Sequence, residues 1–168
     1  MDDGLDFSPF SDAEREAAAQ QLARDGEPDG DKPTCPPADA EPPKVAAARL
    51  FGRKPDGLWR YASAEGQTMF WVCRYNKPDG GKDFFPLCWF PGEGWRSKHW
   101  PRPRPLYNLD RLAARLEAPV IVCEGEKSAE AASRIFADCV ATTSSGGAQS
   151  AMQTDWTRWP HCFHLAGQ

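Results

Sequence analysis

The hydrophobic and polar positions in the middle of the chain form three short runs that are rich in aromatic side chains. The runs cover residues 58–62, 68–75 and 83–90, and turn-forming sequences separate them, Glu-Gly at 65–66 and Pro-Asp-Gly-Gly at 78–81. Aromatic and β-branched residues suit the pleated, half-buried surface of a sheet. Short runs of this kind, divided by glycine turns, predict an antiparallel β-meander of three or four strands.

Residues 119–123 are apolar without interruption, and residues 139–143 (CVATT) predict a second buried strand. A continuous apolar run of this length is typical of a strand that is buried on both faces of a parallel sheet. Residues 128–136 between them favour a helix, and residues 108–116 place apolar side chains at helical spacing. The order strand, helix, strand predicts one parallel βαβ unit. With the meander before it, this unit makes the fold class α+β.

The beginning of the chain is acidic and rich in proline. Residues 13–24 predict a helix, and residues 27–43 predict an unfolded linker because they contain few apolar side chains. Residues 44–51 predict a second, short helix that Gly52 ends. The chain therefore divides into four predicted segments: an acidic helical arm and linker at 1–43, a basic, aromatic β-rich module at 44–104, a parallel α/β unit at 105–157 and an irregular tail at 158–168.

Charge is distributed unevenly along the chain. Residues 1–43 carry twelve acidic and three basic side chains, whereas residues 44–115 carry fourteen basic and six acidic ones and 13 of the 19 aromatic residues. Basic side chains contact phosphates and aromatic side chains stack on bases, so this mixture predicts a surface for single-stranded nucleic acid. The basic candidates for phosphate contacts are Arg74, Lys82, Arg102 and Arg104.

The aromatic residues also have a purely structural explanation, because the core of a small sheet needs bulky side chains. We expect Trp59, Phe70, Val72 and Trp89 to belong to that core. Binding would then be left to the basic residues and to one or two exposed aromatic side chains.

The six cysteines contain no C-x-x-C pair, which argues against a structural zinc site. The acidic amino terminus has no apolar run of a signal peptide, and no segment approaches the roughly 20 apolar residues that span a bilayer. We therefore expect a cytoplasmic protein with free thiols and no membrane partner.

One carboxylate has a position that suits chemistry. Glu124 ends the first buried strand and Gly125 follows it, while the second strand leads into Gly146 and Gly147. In open α/β sheets, ligands bind beyond the carboxyl ends of the strands. A carboxylate at that place can bind a hard cation such as Mg²⁺ or transfer a proton, and exposed glycine amides can cradle a phosphate.

Each of these features also has a simpler explanation. Glu124 could be no more than a carboxylate that interacts favourably with the dipole at the start of the following helix, a role that Glu126 would fill equally well. The pair Gly146-Gly147 could be no more than a flexible connection. The combination of both features is more specific than either one alone.

The sequence VIVCEGEKSA at 120–129 resembles the glutamate motif of Toprim domains, in which an apolar strand ends in Glu-Gly. Residues 139–147 are similar to the second Toprim strand with its terminal glycines. Two further segments, at 105–108 and 145–156, resemble the Toprim-bearing primase-helicase proteins of phages and plasmids in particular. The resemblance implies an α/β Toprim module, incomplete here, after the β-rich module.

The resemblance also implies a role for each matching residue. Glu124 would be the general base or acid and a metal ligand, with Gly125 as the tight turn beside it. Gly146 and Gly147 would face the nucleic-acid backbone. Lys127 would contact phosphate, although a solvated lysine explains it as well.

The activity implied is nucleotidyl transfer by a DNA primase, which makes primers on single-stranded DNA from NTPs with Mg²⁺ as cofactor and a replicative helicase as partner. The chain departs from the family because no Asp-x-Asp follows the glycines and Asp155 is the last acidic residue. We therefore expect a weak or absent Mg²⁺ site, a chain that ends before the domain is complete, and no catalysis by the chain alone. A non-catalytic nucleic-acid-binding module and a Toprim-class nuclease remain as alternatives.

Overall fold

The structure, a computed structural model, describes residues 32–157. The predicted helix at 13–24, the first part of the predicted linker and the predicted tail at 158–168 lie outside these residues. The elements in chain order are α1 (Pro43–Phe51), β1 (Gly57–Ala62), β2 (Thr68–Asn76), β3 (Lys82–Phe90), β4 (Gly94–Arg96), α2 (Leu109–Ala114), β5 (Val120–Val122), α3 (Glu126–Ile135), β6 (Val140–Thr142) and a 3-10 helix (Ala148–Gln153). The predicted α+β class is confirmed.

The β-meander forms as the aromatic runs predict. Strands β1 to β4 make one antiparallel sheet in chain order, so that each strand pairs with the next. The tight hairpin between β2 and β3 is closed by a hydrogen bond from Lys77 N to Gly81 O of 2.8 Å. The side chain of Asp79 accepts a second bond from the Gly81 amide over the same distance.

The meander has a core on each of its two faces. Alternate side chains, among them Tyr61, Phe70 and Phe90, pack on one face against Ala129 of α3 and Ala141 of β6. The intervening side chains pack on the other face, where the second core contains Ala46, Ala47, Cys73, Tyr75, Leu87 and Trp95. The sheet therefore lies between α1 and the βαβ unit.

Three of the four predicted core residues of the meander, Trp59, Phe70 and Val72, are buried, and Trp89 is partly buried. These residues follow the alternation of a two-faced sheet, which explains why the sequence pattern identified them.

The predicted linker is partly wrong. Its second half, from residue 32, packs on the meander: the Thr34 amide donates to Trp89 O over 2.9 Å, and the Trp95 indole donates to Glu41 O over 2.7 Å. Hydrogen bonds to the sheet, together with packing of Ala40 against the second core, hold this segment in place although it is poor in apolar side chains. The predicted helix after it is confirmed, and it ends at Gly52 in the left-handed conformation, with φ of 74°.

The parallel βαβ unit is confirmed, but its first strand is not buried on both faces. Strands β5 and β6 pair in parallel, and every residue of β6 is buried. In β5, by contrast, Val122 is 55% exposed. The difference arises because β6 has neighbours on both edges, whereas β5 pairs with β6 alone within the described part of the chain. Helix α2 is shorter than predicted, and α3 begins two residues earlier, at Glu126.

The second neighbour of β6 is the segment at 104–108. The Tyr107 amide donates to Thr143 O over 3.0 Å, and the Asn108 side-chain amide donates to Ala141 O over 2.9 Å. In return, the Thr142 hydroxyl donates to Tyr107 O over 2.6 Å. Asn108 has φ of 58°, a left-handed conformation that asparagine tolerates better than most residues. This segment fixes the end of β6 from which the glycines extend.

Among residues 32–157, no helix is both long enough and apolar enough to cross a lipid bilayer.

Candidate nucleic-acid site

Glu124 lies at the carboxyl end of β5, with its side chain exposed to solvent. The amide of Cys123, the residue before it, donates to Thr142 O of β6 over 2.8 Å, so the ladder holds the chain up to this point. The first turn of α3 follows, with the Ala129 amide donating to Gly125 O over 3.0 Å. An exposed carboxylate is thus held between a strand end and a helix start.

The loop after β6 comes directly against Glu124. We call residues 144–147 the glycine loop. Gly146 and Gly147 both have positive φ, 96° and 75°, and Ser144 fixes the loop by donating from its hydroxyl to Gly147 O over 2.6 Å. A methyl group at Gly147 would lie only 2.9 Å from the carbonyl oxygen of Glu124, so only glycine fits there. Glu124 and the glycine loop, predicted separately from the sequence, are neighbours in the structure.

Gly125 does not make the tight turn that the sequence predicts. Its φ of −167° is an extended conformation that any residue adopts, and a methyl group added to it would have nothing within 4 Å. The reversal of the chain comes instead from α3, which starts at the next residue. Gly125 therefore leaves open space beside Glu124.

Arg104 is the predicted basic residue that joins this site. Its side chain is buried, with 6% of the residue exposed, and one guanidinium nitrogen (Nη1) lies 4.0 Å from the place where a methyl group on Gly146 would sit. Its Nε donates a long hydrogen bond, 3.4 Å, to Trp100 O. Burial is the main reason that the pKa of the Arg104 guanidinium is lowered, and the nearby charge of Arg102 lowers it further. Arg102 itself is exposed.

The other predicted basic residues lie elsewhere. Lys127 is exposed in the first turn of α3. Arg74 lies on β2 and donates twice to the side-chain oxygen of Asn76, over 3.0 and 2.7 Å, while Lys82 starts β3 beside the hairpin. Arg74 is four residues from Phe70, which corresponds to roughly 13 Å along a strand. Arg74 and Lys82 therefore form a separate part of the surface.

The meander does not offer the broad stacking surface that its composition suggests. Six of its aromatic residues are buried: Trp59, Tyr61, Phe70, Tyr75, Phe90 and Trp95. Four more pack against the cores with partial burial: Trp71, Phe85, Trp89 and Trp100. Two basic side chains of the meander already form ion pairs: Arg60 pairs with Asp110 at 2.8 Å, and Lys77 pairs with Asp83 at 2.7 Å.

One exposed aromatic remains on the meander within the described residues. Phe84 is 49% exposed and stands directly across from Arg74 in the β2–β3 ladder. It belongs to the sheet face that packs on the βαβ unit, because its ring stacks near Trp59 with centroids 6.4 Å apart. We call Arg74, Lys82 and Phe84 the hairpin patch.

A buried hydrogen bond that no sequence pattern predicts lies beside the site. The Tyr61 hydroxyl donates to Glu126 Oε1 over 2.9 Å, and both residues are buried. The side chain of Ser145 in the glycine loop lies near the Tyr61 hydroxyl. Burial raises the pKa of Glu126, and burial together with the Glu126 carboxylate raises the pKa of Tyr61. Glu126 does lie in the first turn of α3, where the helix dipole favours a carboxylate, but it is buried there and hydrogen-bonded to Tyr61.

The described residues do not fit a magnesium site by themselves. Among residues 32–157, no group of three histidine, cysteine or carboxylate side chains is close enough to hold a metal ion. Mg²⁺ requires near-octahedral oxygen ligands and releases its water reluctantly, so Glu124 alone does not hold it.

Comparison of the chain with protein-family models, with curated proteins and with solved structures gives no match. The resemblance to Toprim domains therefore depends on the residues of the chain alone.

Proposed function

We propose that the chain is the glutamate-bearing part of a Toprim-type, primase-like DNA replication protein, and that it binds single-stranded nucleic acid beside Glu124. One observation carries the proposal: an exposed carboxylate and a two-glycine loop meet at the carboxyl ends of two parallel strands. Ligands of α/β sheets bind at this edge.

The arrangement suits two separate tasks. The carboxylate of Glu124 can accept the proton of an attacking hydroxyl, provided that the hydroxyl comes within about 3 Å of it. In this proposal, phosphate contacts come from Arg104 and from glycine-loop amides other than that of Gly147, which donates to Ser144 O over 3.0 Å. Nucleotidyl transfer also requires groups that stabilise charge on the transferred phosphate, and among residues 32–157 Glu124 belongs to no group of three side chains that could hold a metal ion for this. The 168 residues are therefore proposed to bind nucleic acid without making primers.

The second candidate is a nucleic-acid-binding module in which Glu124 has no catalytic role. The lack of a metal-ligating group among residues 32–157 favours it. The two candidates differ in the contact that Glu124 makes. In the Toprim-type site the carboxylate is close to a bound phosphate and repels it, whereas in the module it is remote from the strand.

The experiment compares single-stranded DNA binding by the wild type, Glu124→Gln and Glu117→Gln, using fluorescence anisotropy without and with Mg²⁺. Glu117 is exposed and provides the matched loss of one negative charge. In the Toprim-type site, E124Q binds more tightly than both other proteins without Mg²⁺, and Mg²⁺ narrows the difference because it screens the carboxylate. Equal affinities of E124Q and E117Q would support the module.

Two activities are measured on the same proteins. Primer synthesis is followed with labelled NTPs on a single-stranded template, and cleavage is followed with labelled DNA alone. The proposal expects neither primers nor cleavage from the wild type. Primers from the purified chain would contradict its catalytic silence, cleavage that E124Q lacks would indicate a nuclease, and failure to bind DNA at all would refute both candidates.

A further inference from the structure

We propose that residues 25–31, which we call the acidic stretch, contact the basic segment at 96–104 and compete there with nucleic acid. The acidic stretch precedes the described part of the chain and contains four carboxylates, those of Asp25, Glu27, Asp29 and Asp31. The inference adds an internal competitor to the proposed function, on which it rests for the nature of the ligand that is displaced.

The point at which the acidic stretch joins the described structure is fixed. The Thr34 amide donates to Trp89 O over 2.9 Å, which ties the chain to β3. The thiol of Cys35 donates a long hydrogen bond, 4.0 Å, to the side-chain oxygen of Gln67. Both contacts lie at the end of the meander where β3 ends and β2 begins. Asp31, three residues before Thr34, is therefore tethered to this end of the sheet.

The basic segment passes the same end of the meander. Its first two basic side chains lie over the ring of Phe90, the residue after Trp89. The guanidinium carbon of Arg96 is 4.8 Å from the ring centroid, and the ammonium nitrogen of Lys98 is 5.7 Å from it. Two positive charges are thus placed one residue away from the strand position that anchors the acidic stretch.

Arg104, at the other end of the basic segment, is connected to the same part of β3. Its Nε donates to Trp100 O over 3.4 Å, and the Trp100 ring stacks on Phe70 with centroids 5.7 Å apart. Phe70 stands directly across from Cys88, the residue before Trp89. Burial raises the pKa of the Cys88 thiol to about 12, and the positive charge of Arg104 opposes that rise. Both ends of the basic segment therefore lie beside the anchor.

Charge favours a contact between the two stretches. The basic segment has four basic and no acidic residues, although Arg96 already pairs with Glu93 at 3.1 Å, while the acidic stretch has four acidic and no basic residues. Since an extended chain spans at most about 3.5 Å per residue, even Asp25 lies within roughly 30 Å of Thr34. A tether this short gives an effective concentration on the order of millimolar. Phosphates carry charge of the same sign, so nucleic acid must displace the acidic stretch.

The contact is tested without nucleic acid, by carbodiimide cross-linking of the 168-residue chain. The reagent joins a carboxylate to a lysine amine that touches it, and peptide mass spectrometry of the monomer band locates the links. We expect links from the acidic stretch to Lys98, and we expect 1 M salt to abolish them because it screens charges beyond about 3 Å. Lys98→Arg keeps the charge but should remove the links. Lys44 is the control lysine, since it is exposed on α1, on the other face of the sheet.

The competition is tested by single-stranded DNA binding of two full-length variants that lose the same charge. One carries the substitutions D25N, E27Q, D29N and D31N next to the anchor, and the other carries D2N, D3N, D6N and D12N far from it. The first should bind a short oligothymidylate about tenfold more tightly than the wild type at low salt, and the second less than about threefold more tightly. Both differences should shrink in 0.5 M salt.

Three results would overturn the proposal. The first is a yield of links to Lys98 no higher than that to Lys44. The second is an equal gain in affinity for the two variants, which would show that only net charge acts. The third is no gain in either variant. Links to Lys98 without DNA binding by any of the proteins would refute the proposed function, and with it the competition, while the contact itself would be confirmed.

Discussion

The hydroxyl of Tyr61 donates a hydrogen bond of 2.9 Å to Oε1 of Glu126, and neither side chain is open to solvent. Tyr61 belongs to the β-meander, and Glu126 begins the helix that follows Glu124. The side chain of Ser145 in the glycine loop lies near the same hydroxyl. The buried hydroxyl of Tyr61 therefore links the meander to the helix that follows Glu124 and lies next to the glycine loop.

Tyr61→Phe is expected to destabilise the protein by about 1–3 kcal/mol, because the buried carboxylate of Glu126 loses its donor. Urea denaturation measures the loss. The control is Tyr107→Phe, since Tyr107 is also buried but its hydroxyl makes no hydrogen bond to the described residues. If both variants lose the same free energy of unfolding, the Tyr61–Glu126 bond contributes nothing specific.

Gly147→Ala is expected to lose about 1–3 kcal/mol of stability, because alanine is strained at this φ and its methyl group would press on the Glu124 carbonyl. Gly125→Ala is the matched control, with extended backbone and open space around it, and should change stability by less than about 0.5 kcal/mol. Chemical denaturation compares the two. A larger loss for Gly125→Ala would mean that the loop is not packed against Glu124.

The buried thiols are expected to be unreactive. Burial raises the pKa of Cys73 and of Cys88 to about 12, so that at pH 8 only about one molecule in ten thousand carries either thiolate. Cys35, by contrast, is exposed. Iodoacetamide labelling followed by peptide mass spectrometry should modify Cys35 first and leave the other two until the protein unfolds. Fast labelling of Cys73 or Cys88 in the native protein would show that the meander cores are open.

The sequence revealed the meander well and the site only in part. Alternation identified Trp59, Phe70 and Val72 as core because each lies on one face of a two-faced sheet. The continuous apolar run at 119–123 wrongly predicted burial of Val122, because the burial of a strand depends on neighbouring strands that no local pattern reveals. Glu124 and Gly147 were recognisable because each stands at a strand end, where position alone implies a role.

Contacts between distant parts of the chain were beyond sequence reasoning. Tyr61 and Glu126 are 65 positions apart, and nothing in their surroundings marks them as partners. Arg104 was one basic residue among several, and only the structure distinguishes it from the exposed Arg102. Burial of a charge is decided by tertiary packing, so it leaves no trace in composition.

The hairpin patch is expected to contribute to binding only when the single-stranded nucleic acid is long. It shares the sheet face that packs on the βαβ unit, but Arg74 lies roughly 13 Å along β2 from Phe70. Phe84→Ala should weaken binding of a 15-nucleotide oligothymidylate by about tenfold, through loss of one stacked base, and leave a four-nucleotide strand unaffected. Val45→Ala is the control, since Val45 is similarly exposed but lies on α1, across the sheet. Equal affinities of F84A and V45A for the long strand would confine binding to the glycine loop.

The most direct test of the site is an amide chemical-shift map of the chain titrated with a short oligothymidylate. The account predicts that the largest changes fall at Ser145, Gly146 and Gly147 and at Glu124, and that Arg104→Met abolishes them while the fold remains intact. If the chemical shifts of these four amides stay the same and changes appear only in the meander or in α1, the account is contradicted.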